Sequence, residues 1–156
     1  MEREMESLKK HDVWELVDLP PGKKAIGSKW VYKVKTNADG SIERYKARLV
    51  AQGYNQKFGA DYDETFCPVV RQESLRLLMA MSVQQGLEMH HVDVNTAFLN
   101  GTLEEEVYLR QPKGFVKNEE KNLVCKLKKS LYGLKQSSRC WNVTLDAHLK
   151  SMGFIP

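Results

Sequence analysis

The chain has 156 residues, of which 42% are hydrophobic and 28% charged, with a net charge of +4. That is enough apolar material for one folded domain, or for the front part of a larger one, and too much for a disordered chain; no run approaches the roughly 18 apolar residues of a membrane span, and the N-terminus MEREMESLKKHD lacks the apolar centre of a secretory signal. The charge is segregated: residues 1–22 carry −3, 23–58 carry +7, 59–112 carry −6 and 113–156 carry +6, a pattern that suits either a polyanion gripped from two sides or a solvated lysine-rich surface.

The predicted elements run as follows. Met1, Met5 and Leu8 recur at helical spacing and predict a helix over 2–10. A strand over 13–19 is stopped by Pro20-Pro21-Gly22. Residues 29–36 (KWVYKVKT) and 41–51 alternate, and the turn Asn37-Ala-Asp-Gly40 joins them into a hairpin. One face of the hairpin is apolar; the other carries Arg44, Lys46 and Arg48. Residues 53–71 have no period and read as a loop. A helix over 72–85 places Leu75, Leu78, Met79 and Ser82 on one side and ends at Gly86. Leu87–Val94 reads as a strand that delivers Asp93 to a tight turn at 95–99. Short strands are expected at 106–110 and 123–127, then a helix over 138–152 with Trp141, Leu145, Leu149 and Met152 as its buried stripe and Gly153 as its cap. Mixed helices and locally paired strands make an α+β class.

Cys67, Cys125 and Cys140 are far apart and form no CxxC pair, so they read as reduced thiols and imply an intracellular, cytoplasmic chain. Asn100-Gly-Thr102 and Asn142-Val-Thr144 fit the glycosylation triplet only by chance in that setting.

Four features carry chemistry. Asp93 interrupts an apolar run, and a carboxylate at a strand end before a turn can ligate Mg2+, or equally can cap the turn that follows. His90 and His91 point to opposite strand faces and read as structural. Arg44, Lys46 and Arg48 form a phosphate-binding rail, or simply an exposed polar face. Phe98 is either core or, beside a metal-held nucleotide, a ring that leaves no room for a 2′-hydroxyl. Leu131-Tyr-Gly-Leu-Lys-Gln-Ser-Ser-Arg139 places a glycine and free N–H groups at a helix start, as a ligand cradle or a cap requires.

Taken together, IGSKWVYKVKTNADGSIERYKARLVAQGYNQ, DYDETFCPVV, HVDVNTAFLNGTLEEEVYLRQPKGF and VCKLKKSLYGLKQSSRCW resemble the reverse transcriptase domain of copia-type LTR retrotransposon Pol polyproteins, from about Trp14 to Phe154. The resemblance implies a right-hand polymerase fold: a lead-in helix and strand at 1–27, fingers over 28–88, and the first part of the palm over 89–156 with finger elements returning around 107–127. It implies that Asp93 is the first palm carboxylate, binding both catalytic Mg2+ ions; that Lys46, Arg48, Val94, Phe98, Tyr132 and Gly133 form the nucleotide pocket, with Phe98 favouring dNTPs; and that Arg44, Lys135 and Gln136 contact template. The partners it implies are an RNA or DNA template with its primer, dNTPs, and the remaining polyprotein (rest of the palm, thumb, ribonuclease H and integrase), with a virus-like particle as location and no membrane. The chain departs from the family at two places. It has no Asp-Asp pair, whereas the family carries Tyr-x-Asp-Asp just beyond the last helix, and it has Ser138 where proline is usual. The piece by itself is therefore expected to be inactive, with a non-catalytic nucleic-acid-binding remnant as the alternative.

Overall fold

The computed structural model describes residues 1–155. Helix α1 (Glu2–Lys10) leads into β1 (Trp14–Val17), and the long hairpin follows as β2 (Ser28–Thr36) and β3 (Ile42–Ala51). Helix α2 spans Gln72–Gln85; β4 (Tyr108–Leu109) and β5 (Val124–Leu127) come next, and α3 (Ser137–Ser151) closes the chain. Single 3-10 turns lie at Gly53–Asn55, Ala97–Asn100 and Asn118–Glu120. The mixed class expected from the sequence is the class observed. No described helix is long and apolar enough to cross a membrane.

Two antiparallel sheets organise the body. β5 is the centre of a three-stranded sheet, pairing Trp14↔Leu127 with β1 and Tyr108↔Lys126 with β4. The hairpin is a separate two-stranded sheet, stitched to the first through Ile26, whose N–H donates to Tyr108 O (2.9 Å) and whose carbonyl accepts from Arg110 N (2.8 Å). Leu8, Leu49, Leu99, Leu109, Cys125 and Leu131, each at 0–1% exposure, pack where the two sheets, α1, α3 and the 97–100 turn meet. Gly101 lets that turn lie against α3, since a Cβ there would stand 2.9 Å from the Cys140 backbone.

The hairpin buries only its base. Leu49 and Ala51 are in the core, while Tyr32 and Tyr45 near the tip are exposed. Its turn forms as the residues dictate: Gly40 takes φ +84°, and Asp39 Oδ1 accepts from Ser41 N at 2.9 Å. Helix α2 ends as expected, with Gly86 left-handed and Leu87 N donating to Ser82 O at 2.8 Å.

Three expectations fail. Leu87–Val94 is not a strand; the segment is irregular and exposed. A strand needs a neighbour for its N–H and C=O groups, and no strand pairs with this segment. The apolar side of α2 is also uncovered: Leu75, Leu78 and Met79 are all exposed. In α3 the buried side chains are Ser137 and Cys140, while Trp141, Leu145 and Leu149 are half-buried and Met152 is exposed. The helix packs on the 97–100 turn by its N-terminal end, so its C-terminal end projects.

Candidate nucleotide site

The cations of β3 divide between two neighbours. Arg44 and Lys46 line a cleft of about 500 Å³ whose far wall is α1 (Met1 to Glu4, and Ser7) and whose floor includes Asn95 and Thr96. Arg48, on the same strand, packs on a different neighbour. Its guanidinium lies over the Tyr132 ring, 5.4 Å from the centroid, and Tyr132 meets Phe98 edge-on at 5.2 Å and 63°. Arg48, Tyr132 and Phe98 thus form one stack that joins the hairpin, the 131–136 turn and the 97–100 turn.

Backbone chemistry fixes the stack. Gly133 has φ +90°, a conformation open to glycine, and a Cβ there would stand 2.3 Å from Ala51 O. The turn lies this close because Ala51 N donates to Tyr132 O at 2.7 Å. Gln56 and Gln136 lock the outer side. Gln56 Nε2 donates to Gln136 Oε1 (3.0 Å), Gln56 Oε1 accepts from Lys135 N (2.9 Å), and Gln136 Nε2 donates to Asp61 O (2.9 Å). Phe98 is held through its carbonyl, which accepts from the buried Ser130 hydroxyl.

The electrostatics reflect burial and clustered charge. Burial, then the repulsion of Arg48, Arg44 and Lys35, holds the Lys46 ammonium below the ordinary lysine range. Burial pushes the Tyr132 phenol up; Arg48 opposes this, while Glu4 and Asp93 add to it. Burial also pushes the Glu4 carboxyl up, against the Leu49 N–H bond and the Arg48 and Lys46 charges.

The sequence-predicted residues divide into three groups. Arg48, Phe98, Tyr132 and Gly133 come together, with Lys46 and Arg44 along the adjoining cleft. Asp93 and Val94 are exposed on the irregular segment beside the stack, Asp93 close enough for its charge to reach Tyr132. The turn at 97–100 is capped by Thr96 in a left-handed conformation without a side-chain cap bond, so Asp93 is not its cap. His90 and His91 are exposed and take no part in the core.

Gln136 corrects the expectation of a template contact: it has 0% exposure and is spent on Gln56 and Asp61. Lys135 stays on the surface, its Nζ 3.1 Å from the Tyr62 hydroxyl. Sequence reasoning missed Glu4 and Gln56. The only signals were a glutamate on a helix facing a basic strand and a glutamine in a loop without period.

Mg2+, the ion that the resemblance implies, does not fit these residues as a complete centre. Among the described residues no three His, Cys, Asp or Glu side chains converge, whereas a two-ion site needs several oxygen ligands. Asp93 is one available carboxylate, exposed on the irregular segment.

The fold and the site define an α+β domain with a cation-lined cleft beside an aromatic cluster. Residues 11–156 match the family described as reverse transcriptase (RNA-dependent DNA polymerase), and the chain belongs to that family. It is 48% identical over 155 residues to the Retrovirus-related Pol polyprotein from transposon TNT 1-94 of Nicotiana tabacum, covering 99% of this chain and 12% of that protein. It is 49% identical over 143 residues to the corresponding polyprotein from transposon RE1 of Arabidopsis thaliana, covering 91% of this chain and 10% of that one. The RE2 polyprotein of the same plant is 48% identical over 143 residues, with the same coverage. The chain therefore spans about a tenth of the length of these relatives. No solved structure matches it. The resemblance read from the sequence is to this family, and the chain is a reverse transcriptase segment of the transposon Pol polyprotein kind.

Proposed function

We propose that this segment supplies the nucleotide-holding part of an RNA-directed DNA polymerase, with residues 28–88 as fingers and 89–156 as the first part of the palm. The contact of Arg48 with Tyr132 and of Tyr132 with Phe98, beside Lys46, carries the reading. Lys46 and Arg48 would grip the triphosphate, Arg48 in a fork and Lys46 as a point charge. The half-buried Phe98 ring would occupy the space of a 2′-hydroxyl and so favour dNTPs over rNTPs. Tyr132 and Gly133 would wall the base and sugar, Val94 would lie against them, and Arg44 and Lys135 would meet the template strand. Asp93 would give one carboxylate to a Mg2+ centre, whose chemistry is to activate the primer 3′-hydroxyl and neutralise the leaving pyrophosphate. The remaining carboxylates, and the template, primer and rest of the polyprotein, would come from outside these residues.

The direct test is dNTP binding by the purified chain, compared with rNTP. Lys46→Ala and Arg48→Ala are each expected to weaken dNTP binding about tenfold, the loss of one charge-assisted contact. Phe98→Val is expected to erase the preference for the deoxy sugar. Primer extension by the 156-residue chain is expected to be absent, and incorporation that depends on Asp93 would overturn that expectation. If Lys46→Ala and Arg48→Ala bind dNTP as wild type does, the site assignment is wrong.

A second reading is nucleic-acid binding without catalysis, and it draws on the exposed Tyr32 and Tyr45 beside Lys33 and Lys46 on the hairpin. It predicts affinity that falls by about one log unit per phosphate contact for each tenfold rise in salt, unaffected by Asp93→Asn.

A further inference from the structure

Helix α1 lies where an incoming anion would enter. Its residues Met1 to Glu4 form the wall of the cleft opposite Arg44 and Lys46, and the Glu4 carboxylate faces the strand that carries Lys46 and Arg48. Glu4 Oε1 accepts from Leu49 N at 3.4 Å, a long bond to the edge of β3 one residue beyond Arg48. The helix is anchored unevenly. Its C-terminal half is fixed by Leu8, at 1% exposure, and by the core packing of Met5. Its N-terminal end is held by the Glu4 bond and by the Tyr32 hydroxyl, 3.3 Å from Met1 Sδ.

We propose that Glu4 is the resident counter-ion of the Lys46–Arg48 site and that the N-terminal half of α1 competes with phosphate for it. The proposal rests on the reading of Lys46 and Arg48 as phosphate-binding residues. A carboxylate and a phosphate can each offer two oxygens to a guanidinium, and the half-buried Glu4 carboxylate has given up water that the Leu49 N–H, then the Arg48 and Lys46 charges, replace in part. A polyphosphate that brings more charge to the same cations would displace Glu4, and with it the weakly held end of the helix. Removal of the Glu4 charge alone would then strengthen anion binding, the opposite of the effect expected if Glu4 merely supported the fold.

The experiment is titration calorimetry of the purified chain with inorganic tripolyphosphate, for wild type, Glu4→Gln, Glu4→Asp and the double variant Lys46→Ala/Arg48→Ala. Glutamine keeps an oxygen for the Leu49 N–H and discards the charge. Glu4→Gln is expected to tighten binding about fivefold, equivalent to roughly 1 kcal/mol. Glu4→Asp, which keeps the charge, is expected to return affinity toward wild type. The double variant is expected to lose most of the binding. If Glu4→Gln binds no more tightly than wild type while the double variant is still impaired, the competition is refuted and the phosphate site stands. If the double variant binds as wild type does, the phosphate site fails and the competition falls with it.

Discussion

Gly133→Ala is the sharpest test of how the site is built. The residue has φ +90°, where an L side chain costs about 1–2 kcal/mol. The added Cβ would also stand 2.3 Å from Ala51 O and 2.6 Å from Val50 Cγ1. Relief requires the 131–136 turn to move off β3, which stretches the 2.7 Å bond from Ala51 N to Tyr132 O and costs a further ~1 kcal/mol. The total expected is about 2–3 kcal/mol, a large share of the roughly 5–15 kcal/mol of a domain. Two controls separate the terms. Gly40 has φ +84° with nothing within 4 Å, so Gly40→Ala reports the backbone strain alone. Gly53→Ala puts a Cβ 2.0 Å from Gly133 O and reports the clash alone. Urea unfolding followed by tryptophan fluorescence measures all three. Because Gly53→Ala and Gly133→Ala displace the same turn, their double variant should cost less than the sum. A Gly133→Ala penalty no larger than that of Gly40→Ala would refute the close packing of the turn on β3.

Further outcomes follow from burial. Burial pushes the Cys125 thiol up to about 12 and that of Cys140 to about 11, so iodoacetamide at mildly alkaline pH should label the half-exposed Cys67 in the native chain and reach the other two only in urea. The folded thiol of Cys125 holds its proton above the ordinary value of 9.0, so its contribution to stability is complete below pH 9 and drains away as pH rises toward 12; denaturation midpoints at pH 8 and 10.5 measure the loss. Leu109→Ala, at a core position with 0% exposure, should cost about 3 kcal/mol, whereas Leu78→Lys on the uncovered side of α2 should change stability by less than about 0.5 kcal/mol; a loss above 2 kcal/mol for Leu78→Lys would show that α2 is covered after all.

Local chemistry made much of this legible. The turn at 37–40, the left-handed Gly86 and Gly153, and the alternation of 29–36 against 41–51 each depend on neighbours within a few residues, and each forms as read. What depends on distant partners was misread. The apolar residues of 87–94 look like a strand, but they state which positions prefer burial, not whether a ladder partner exists. The stripe of α2 is real as a pattern and stays exposed for the same reason. Gln136 reads as a surface group because glutamine is mostly exposed, and its partner Gln56 lies 80 residues away in a loop without period.

The same distinction separates the two halves of the site. Arg48, Tyr132 and Phe98 sit on backbone tied down by the Ala51–Tyr132 bond, the Gln56–Gln136 lock and the buried Ser130 hydroxyl. Each tie is buried or half-buried, so each donor would be left without water if the tie broke, which makes the arrangement costly to disturb. Asp93 sits on exposed backbone with no ladder around it. A ligand of Arg48, Tyr132 and Phe98 would therefore meet a preorganised surface there, with its cost confined to the Glu4 end of α1, whereas a metal ligated by Asp93 would have to order the 87–95 segment itself. Substitutions in the buried ties should accordingly act on phosphate affinity, and contacts that cover α2 and the 87–94 segment should act on Asp93.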